Sequence, residues 1–170
     1  TRERILKIAG ELNYQPNRIA KSLRAKRTYT IGILVEDITA FHSPKIINGI
    51  NEYAEDNGYH VVLSDLRLGE KLKSKYDELY LHKDKINQSI NVLLSFQVDG
   101  IIYIGLHDRN IGGIIENVDK PVAYTYCYTE NKNDLSITYD NRNISYRVTQ
   151  YLLGLGHHKI GIISGPLDSM

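Results

Sequence analysis

From Thr30 onward, short apolar runs alternate with longer stretches whose apolar residues recur at helical spacing. Ile31-Gly-Ile-Leu-Val35 reads as a buried strand, and Ser43-Pro44 supplies an N-cap and first-turn signal for a helix. Ile46, Ile47, Ile50, Tyr53 and Ala54 form that helix's stripe, and Gly58 supplies its left-handed stop. His60 to Ser64 predicts a second strand, and about Ser74 to Gln97 a long helix with Leu79, Tyr80, Ile90, Leu93 and Leu94 inward. Gly100 to Ile104 and Pro121 to Thr125 read as strands three and four, with a short helix near Asn110 to Asn117 between them. Leu135 to Tyr139 reads as extended. Asp140 then caps a helix carrying Ile144, Val148, Tyr151, Leu152 and Leu155, Gly156 ends it, and Lys159 to Ser164 reads as another strand. Strands alternating with helices imply right-handed crossovers, a mostly parallel sheet, and ligands beyond the carboxyl ends of its strands.

The first 28 residues follow a different pattern. Ile5, Ile8, Ala9 and Leu12 lie on one helical face, and Asn13-Tyr14-Gln15-Pro16 ends that helix. Asn17 caps a second helix, Arg18 to Arg24, with Ile19, Ala20 and Leu23 along one side. So short a helix is marginal in water unless something packs on it.

Charge sharpens the contrast. Residues 1–28 carry eight basic and two acidic side chains, and the rest of the 170 residues carry 13 basic and 18 acidic. A basic arm on an acidic body points to a polyanionic partner. No apolar run approaches the roughly 20 residues a membrane-spanning helix needs. The chain opens inside a helical pattern, and its single Met is Met170, so it reads as part of something longer.

Catalytic chemistry is not evident. There is no phosphate-binding Gly-rich loop, no dinucleotide fingerprint and no nucleophile elbow. His157-His158 lacks metal-ligand spacing and reads as a helix C-terminus, so neither metal nor cofactor is expected. Cys127, the single cysteine, sits at a strand end without a basic neighbour in sequence and reads as inert. Asp37, after the first strand, reads as a ligand-loop or capping residue and not as a phosphoacceptor.

The segment Gly10-Glu-Leu-Asn-Tyr14-Gln-Pro16-Asn17-Arg-Ile-Ala20-Lys-Ser22-Leu23-Arg-Ala-Lys-Arg-Thr28 closely resembles the headpiece end and hinge helix of LacI/GalR transcription regulators. The resemblance continues through Ile31–Ile38, Val98-Asp-Gly-Ile-Ile102, Tyr139-Asp-Asn141 and Leu155-Gly-His157-His-Lys-Ile-Gly-Ile-Ile-Ser-Gly-Pro166. It implies an α/β, periplasmic-binding-protein-type (type I) parallel-sheet core, preceded by the last helix of a helix-turn-helix headpiece and a hinge helix. The expected divisions are 1–15, end of the headpiece; 16–28, hinge; 29–139, N-terminal subdomain; and 140–170, start of the C-terminal subdomain.

The resemblance further implies a cytoplasmic homodimer that represses sugar-utilisation genes, with helix Pro44–Asn57 and its neighbouring strand as the expected interface. Paired hinges enter the minor groove of operator DNA, where Leu23 matches a leucine wedge and Asn17, Arg18, Ala20, Lys21 and Arg24 flank it. A small-molecule effector, usually a sugar or a purine in this family and a saccharide in the leading reading, is expected at Asp37, Phe41, His42, Ser43, Tyr126 and Asp140; Phe41 and His42 do not choose between sugar and base. Three departures bear on that cleft. Ala40-Phe-His-Ser43 replaces a common Asn-Pro-Phe-Phe, Tyr126 stands where many members place an aspartate, and an insertion occupies about Gly69–Ile86. The rival reading is an exported sugar-binding protein of a transport system, which shares the core but has no use for the basic arm.

Overall fold

The first apolar run forms the strand on which the others assemble. In the computed structural model, which describes residues 4, 7, 8, 11, 27–73 and 75–163, β1 (Thr30–Val35) is buried over its second half. It pairs in parallel with β2 (His60–Asp65) on one side and β3 (Gly100–Ile104) on the other. Beyond β3 lie β4 (Val122–Thr125) and β5 (Leu135–Ile137), also parallel, giving the order β2-β1-β3-β4-β5. From Thr30 onward the helices described are α1 (Ser43–Asp56), α2 (Gly69–Leu72), α3 (Lys83–Ser95) and α4 (Asn141–Gly154).

The chain steps from β1 to β2 through α1, then returns across β1 to β3 through α3. Crossovers of one hand running in opposite directions place their helices on opposite faces. The side chains divide accordingly. Ile33, Val35 and Ile104 pack with Ile46, Ile47 and Ile50 of α1, while Leu34, Ile101 and Tyr103 pack with Ile86, Ile90 and Leu93 of α3. Successive residues of β1 thus serve different faces, as a strand's period of two requires. Gly32 makes the second contact close, since a Cβ there would lie 3.2 Å from Leu93 Cδ1.

Two loops fix the edges of this core. Gly58 stops α1 at a φ of 73°, where glycine carries no Cβ penalty. At the entry to β1, Asp99 accepts hydrogen bonds from the Thr28 amide (3.0 Å) and the Tyr29 amide (2.9 Å). The junction with the basic arm is therefore tied to the start of β3.

Several expectations need correction. The helix expected over 74–97 is a 3-10 segment, Tyr76–His82, followed by α3. Lys73, with a φ of 43°, turns the chain out of α2 before this segment. Three-residue spacing then groups Tyr76 with Leu79, so Leu79 is buried and Tyr80 faces outward instead of inward. No helix forms at 110–117, where Gly112-Gly113 and Asn117, the last at a φ of 56°, favour turns. Ser43 does not cap α1. Its hydroxyl donates to the Asp37 carbonyl, and the cap position is His42. Lys159–Ile163 has no ladder partner among the described residues and is not a strand, because a strand's backbone must be paired to persist.

Leu93→Ala should cost about 2–5 kcal/mol, because Leu93 is fully buried between α3 and the Gly32 backbone. Urea unfolding of the wild type and the variant measures the loss.

Candidate functional site

The carboxyl ends of β1, β3 and β4 meet where the strand order reverses, and three loops gather there. The first begins with Glu36, which is fully buried at the end of β1. A carboxylate so placed needs compensation, and every lone pair in use has a donor. The Tyr103 hydroxyl donates to Oε1 at 2.6 Å, and the Leu106 amide donates to Oε2 at 2.8 Å. The Arg109 guanidinium donates to both oxygens, at 2.9 and 3.0 Å. Burial, together with the Glu36 charge and hydrogen bond, holds the Tyr103 phenol well above its ordinary pKa, so it remains a donor. Arg109 also sits 5.4 Å over the ring of Tyr76, which stacks on His107 at 4.9 Å. Glu36 therefore pins the β3 loop to β1 and draws the insertion over it.

Asp37 organises the rest of the first loop. Its Oδ1 accepts from the Thr39 amide at 2.8 Å and the Thr39 hydroxyl at 2.5 Å, and its Oδ2 accepts from the Gly69 amide at 3.0 Å. Burial raises the pKa of this carboxyl, but the bonds from Thr39 and Gly69 outweigh it and hold the value below 3.8. Asp37 and Ser43 thus shape the loop, and Asp37 also ties it to the start of α2 at Gly69.

The loop so formed presents an aromatic cluster. His42 stacks on Tyr126 at 3.7 Å between ring centres, with the planes 13° apart. Phe41 meets both rings edge-on, at 5.0 Å from His42 and 6.2 Å from Tyr126, while 83% of Phe41 remains exposed. Tyr139 also meets Tyr126 edge-on, at 5.5 Å. Tyr126 has a φ of 58°, a left-handed conformation that costs a bulky residue about 1–3 kcal/mol. His42 is fixed by its Nε2, which donates to the Gly105 carbonyl at 2.9 Å. Gly105 permits that approach, since a Cβ there would sit 2.7 Å from Cys127 Cβ.

Polar groups edge the cluster. The Asn141 amide donates to Asp108 Oδ2 at 3.2 Å, while buried Asp108 Oδ1 and His42 Nδ1 have no hydrogen-bond partner among the described residues. Asp140 caps α4 by accepting from the Asn143 amide at 3.0 Å and is otherwise exposed. The structure thus brings Phe41, His42 and Tyr126 together, uses Asp37 and Ser43 as scaffolding, and places Asp140 at the margin. Glu36, Asp108, Arg109, Tyr76 and Tyr139 join the site without having been singled out by sequence. A charge directly after a wholly apolar strand was the available signal for Glu36. Asn17, Arg18, Ala20, Lys21, Leu23 and Arg24, the DNA-facing candidates, lie outside the described residues.

Cys127 is fully buried, and burial pushes its thiol far above the ordinary range, which suits an inert side chain. Among the described residues, no group of three or more His, Cys, Asp or Glu could hold a metal ion, and no helix is long and apolar enough to cross a membrane.

Comparison with known proteins adds the lineage. Residues 28–169 match the profile of periplasmic binding proteins and the sugar binding domain of the LacI family. The chain belongs to the LacI family. It is 30% identical over 166 residues to catabolite control protein A of Staphylococcus epidermidis, covering 97% of this chain and 46% of that protein. It is also 30% identical over 170 residues to the ribose operon repressor of Haemophilus influenzae, covering 98% of this chain and 46% of that protein. The chain thus spans just under half the length of these relatives. Among solved structures, the lac repressor dimer bound to operator and the anti-inducer ONPF superposes with a TM-score of 0.74 at 23% identity, over 99% of this chain and 48% of that one. These LacI-family relatives are transcription repressors and regulators, and the described fold is the expected parallel α/β core.

Glu36→Gln should cost about 3–5 kcal/mol by leaving the Arg109 charge buried without its counter-ion. The double variant Glu36→Gln/Arg109→Met should recover part of that loss, so the two substitutions are strongly non-additive in denaturant unfolding.

Proposed function

We propose that this chain is the headpiece end, hinge and N-terminal effector subdomain of a repressor that responds to a saccharide. The observation that carries this reading is the Phe41–His42–Tyr126–Tyr139 cluster at the sheet's switch point, edged by the unpaired Asp108 oxygen. Aromatic faces take up the apolar face of a sugar ring, and carboxylate and amide groups take its hydroxyls. In this reading residues 29–139 form one wall of a cleft, and Asp140 begins the opposing subdomain. Closure of the two halves over the effector alters the geometry of the hinges.

The hinge residues carry the output. Leu23 wedges into the minor groove of operator DNA from each member of a homodimer, with Asn17, Arg18, Ala20, Lys21 and Arg24 around it and the cations on phosphates. Ordering of this short helix on DNA fits its marginal length. The Asp99 bonds to Thr28 and Tyr29 supply the physical link, since they fasten the hinge's exit to the strand that leads into the cleft. α1 and its neighbouring strand form the dimer interface, and the protein acts in the cytoplasm. The basic arm favours this reading over a solute-binding protein of a transport system, because transport gives that arm no task.

In the full-length protein, Leu23→Ala should weaken selective operator binding by tenfold or more, consistent with an intercalating wedge worth about 1–3 kcal/mol, and should reduce the DNA bend. Gel-shift titration and a bend-sensitive fluorescence pair measure the two effects. Unchanged affinity and bend would remove the wedge role.

A further inference from the structure

The aromatic cluster has a neighbour. Asp108 also lines a cavity of about 430 Å³, with Tyr76, Asp77 and Tyr80 of the 3-10 segment, Arg109 and Tyr128, over an apolar floor that includes Leu79 and Ile111. The cavity and the cluster adjoin at Asp108, which lines the cavity and accepts from Asn141, two residues along the chain from the Tyr139 ring that meets Tyr126. Four of its eleven lining residues come from the insertion, held in place by the Tyr76 ring against His107 and the Arg109 guanidinium.

Its chemistry narrows the occupant. Tyr80 is 63% exposed and Tyr128 38% exposed, so neither serves mainly as core. The cavity's one cation, Arg109, is already bound through both Glu36 oxygens, whereas Asp77 and Asp108 are acceptors. Buried Asp108 Oδ1 has no donor among the described residues. Tyrosine faces with carboxylate acceptors and no available cation suit a neutral, hydroxyl-rich ring and repel a phosphorylated one.

We infer that the insertion builds a second sugar subsite, joined to the aromatic cluster at Asp108, so that the effector is a neutral disaccharide. One ring lies on the His42–Tyr126 cluster, the other lies among Tyr76, Tyr80 and Tyr128, and Asp108 accepts hydroxyls at the junction. This rests on the saccharide-sensor reading above.

The test is isothermal titration of the full-length protein with lactose, maltose, cellobiose, sucrose and trehalose, alongside glucose, galactose and fructose. At least one disaccharide should bind about tenfold more tightly than either of its component sugars. Tyr80→Ala, a surface change, should remove most of that ratio while affecting the monosaccharide less than twofold. Asp108→Asn, which cannot accept through both oxygens, should weaken the disaccharide most. A monosaccharide as tightest ligand, or a disaccharide advantage that survives both variants, overturns the second subsite and leaves the sensor reading standing. Binding of none of these sugars by protein that still binds its operator overturns both.

Discussion

The site depends on one buried charge. Glu36 sits at the end of the central strand with no exposed surface, and Tyr103, the Leu106 amide and Arg109 converge on its carboxyl group. Each donor belongs to β3 or the loop that follows, so the carboxylate sets the spacing between the first and third strands at their carboxyl ends. Arg109 then carries the constraint outward, since its guanidinium positions Tyr76 and through it the insertion. A buried pair of this kind contributes little net stability, but it penalises any arrangement that separates its members. Its role is to hold geometry.

Around that fixed point the loops divide their labour. Asp37 and Ser43 spend their polar atoms on backbone and Thr39, which gives a rigid loop and leaves them little to offer a ligand. The rigidity presents Phe41 outward and keeps His42 buried beneath Tyr126, and Gly105 lets the β3 and β4 ends approach closely enough for His42 to lie flat on that ring. Preorganised aromatic faces bind a ring without an ordering cost at the moment of binding. The unpaired oxygen of Asp108 beside them is the group that most needs a donor.

The β-α alternation, the order of elements and the family were legible from sequence, because apolar period, Gly58 and the hinge-like segment are local signals. Phe41, His42 and Tyr126 were legible as cleft candidates for the same reason, being strand-end residues of a parallel sheet. The Glu36–Arg109 pair was not, because it joins positions 73 residues apart and no local pattern reports such a partner. The insertion was visible as extra length, but reading it as continuous helix missed the left-handed Lys73 and the three-residue spacing that turns Tyr76 inward. Tyr126 looked like the loss of a carboxylate acceptor. The fold brings Asp108 to the edge of the same cluster from another loop, through its bond to Asn141, a placement that only tertiary structure reveals.

The central claim is that the Tyr126 cluster senses the effector and the hinge reports it. The most direct measurement is the operator affinity of the full-length protein, with and without its tightest-binding sugar, for the wild type and Tyr126→Ala. The account predicts equal operator affinity for both proteins without sugar, a sugar-dependent shift in the wild type, and a shift reduced at least tenfold in sugar sensitivity in Tyr126→Ala. An undiminished response in Tyr126→Ala would contradict it.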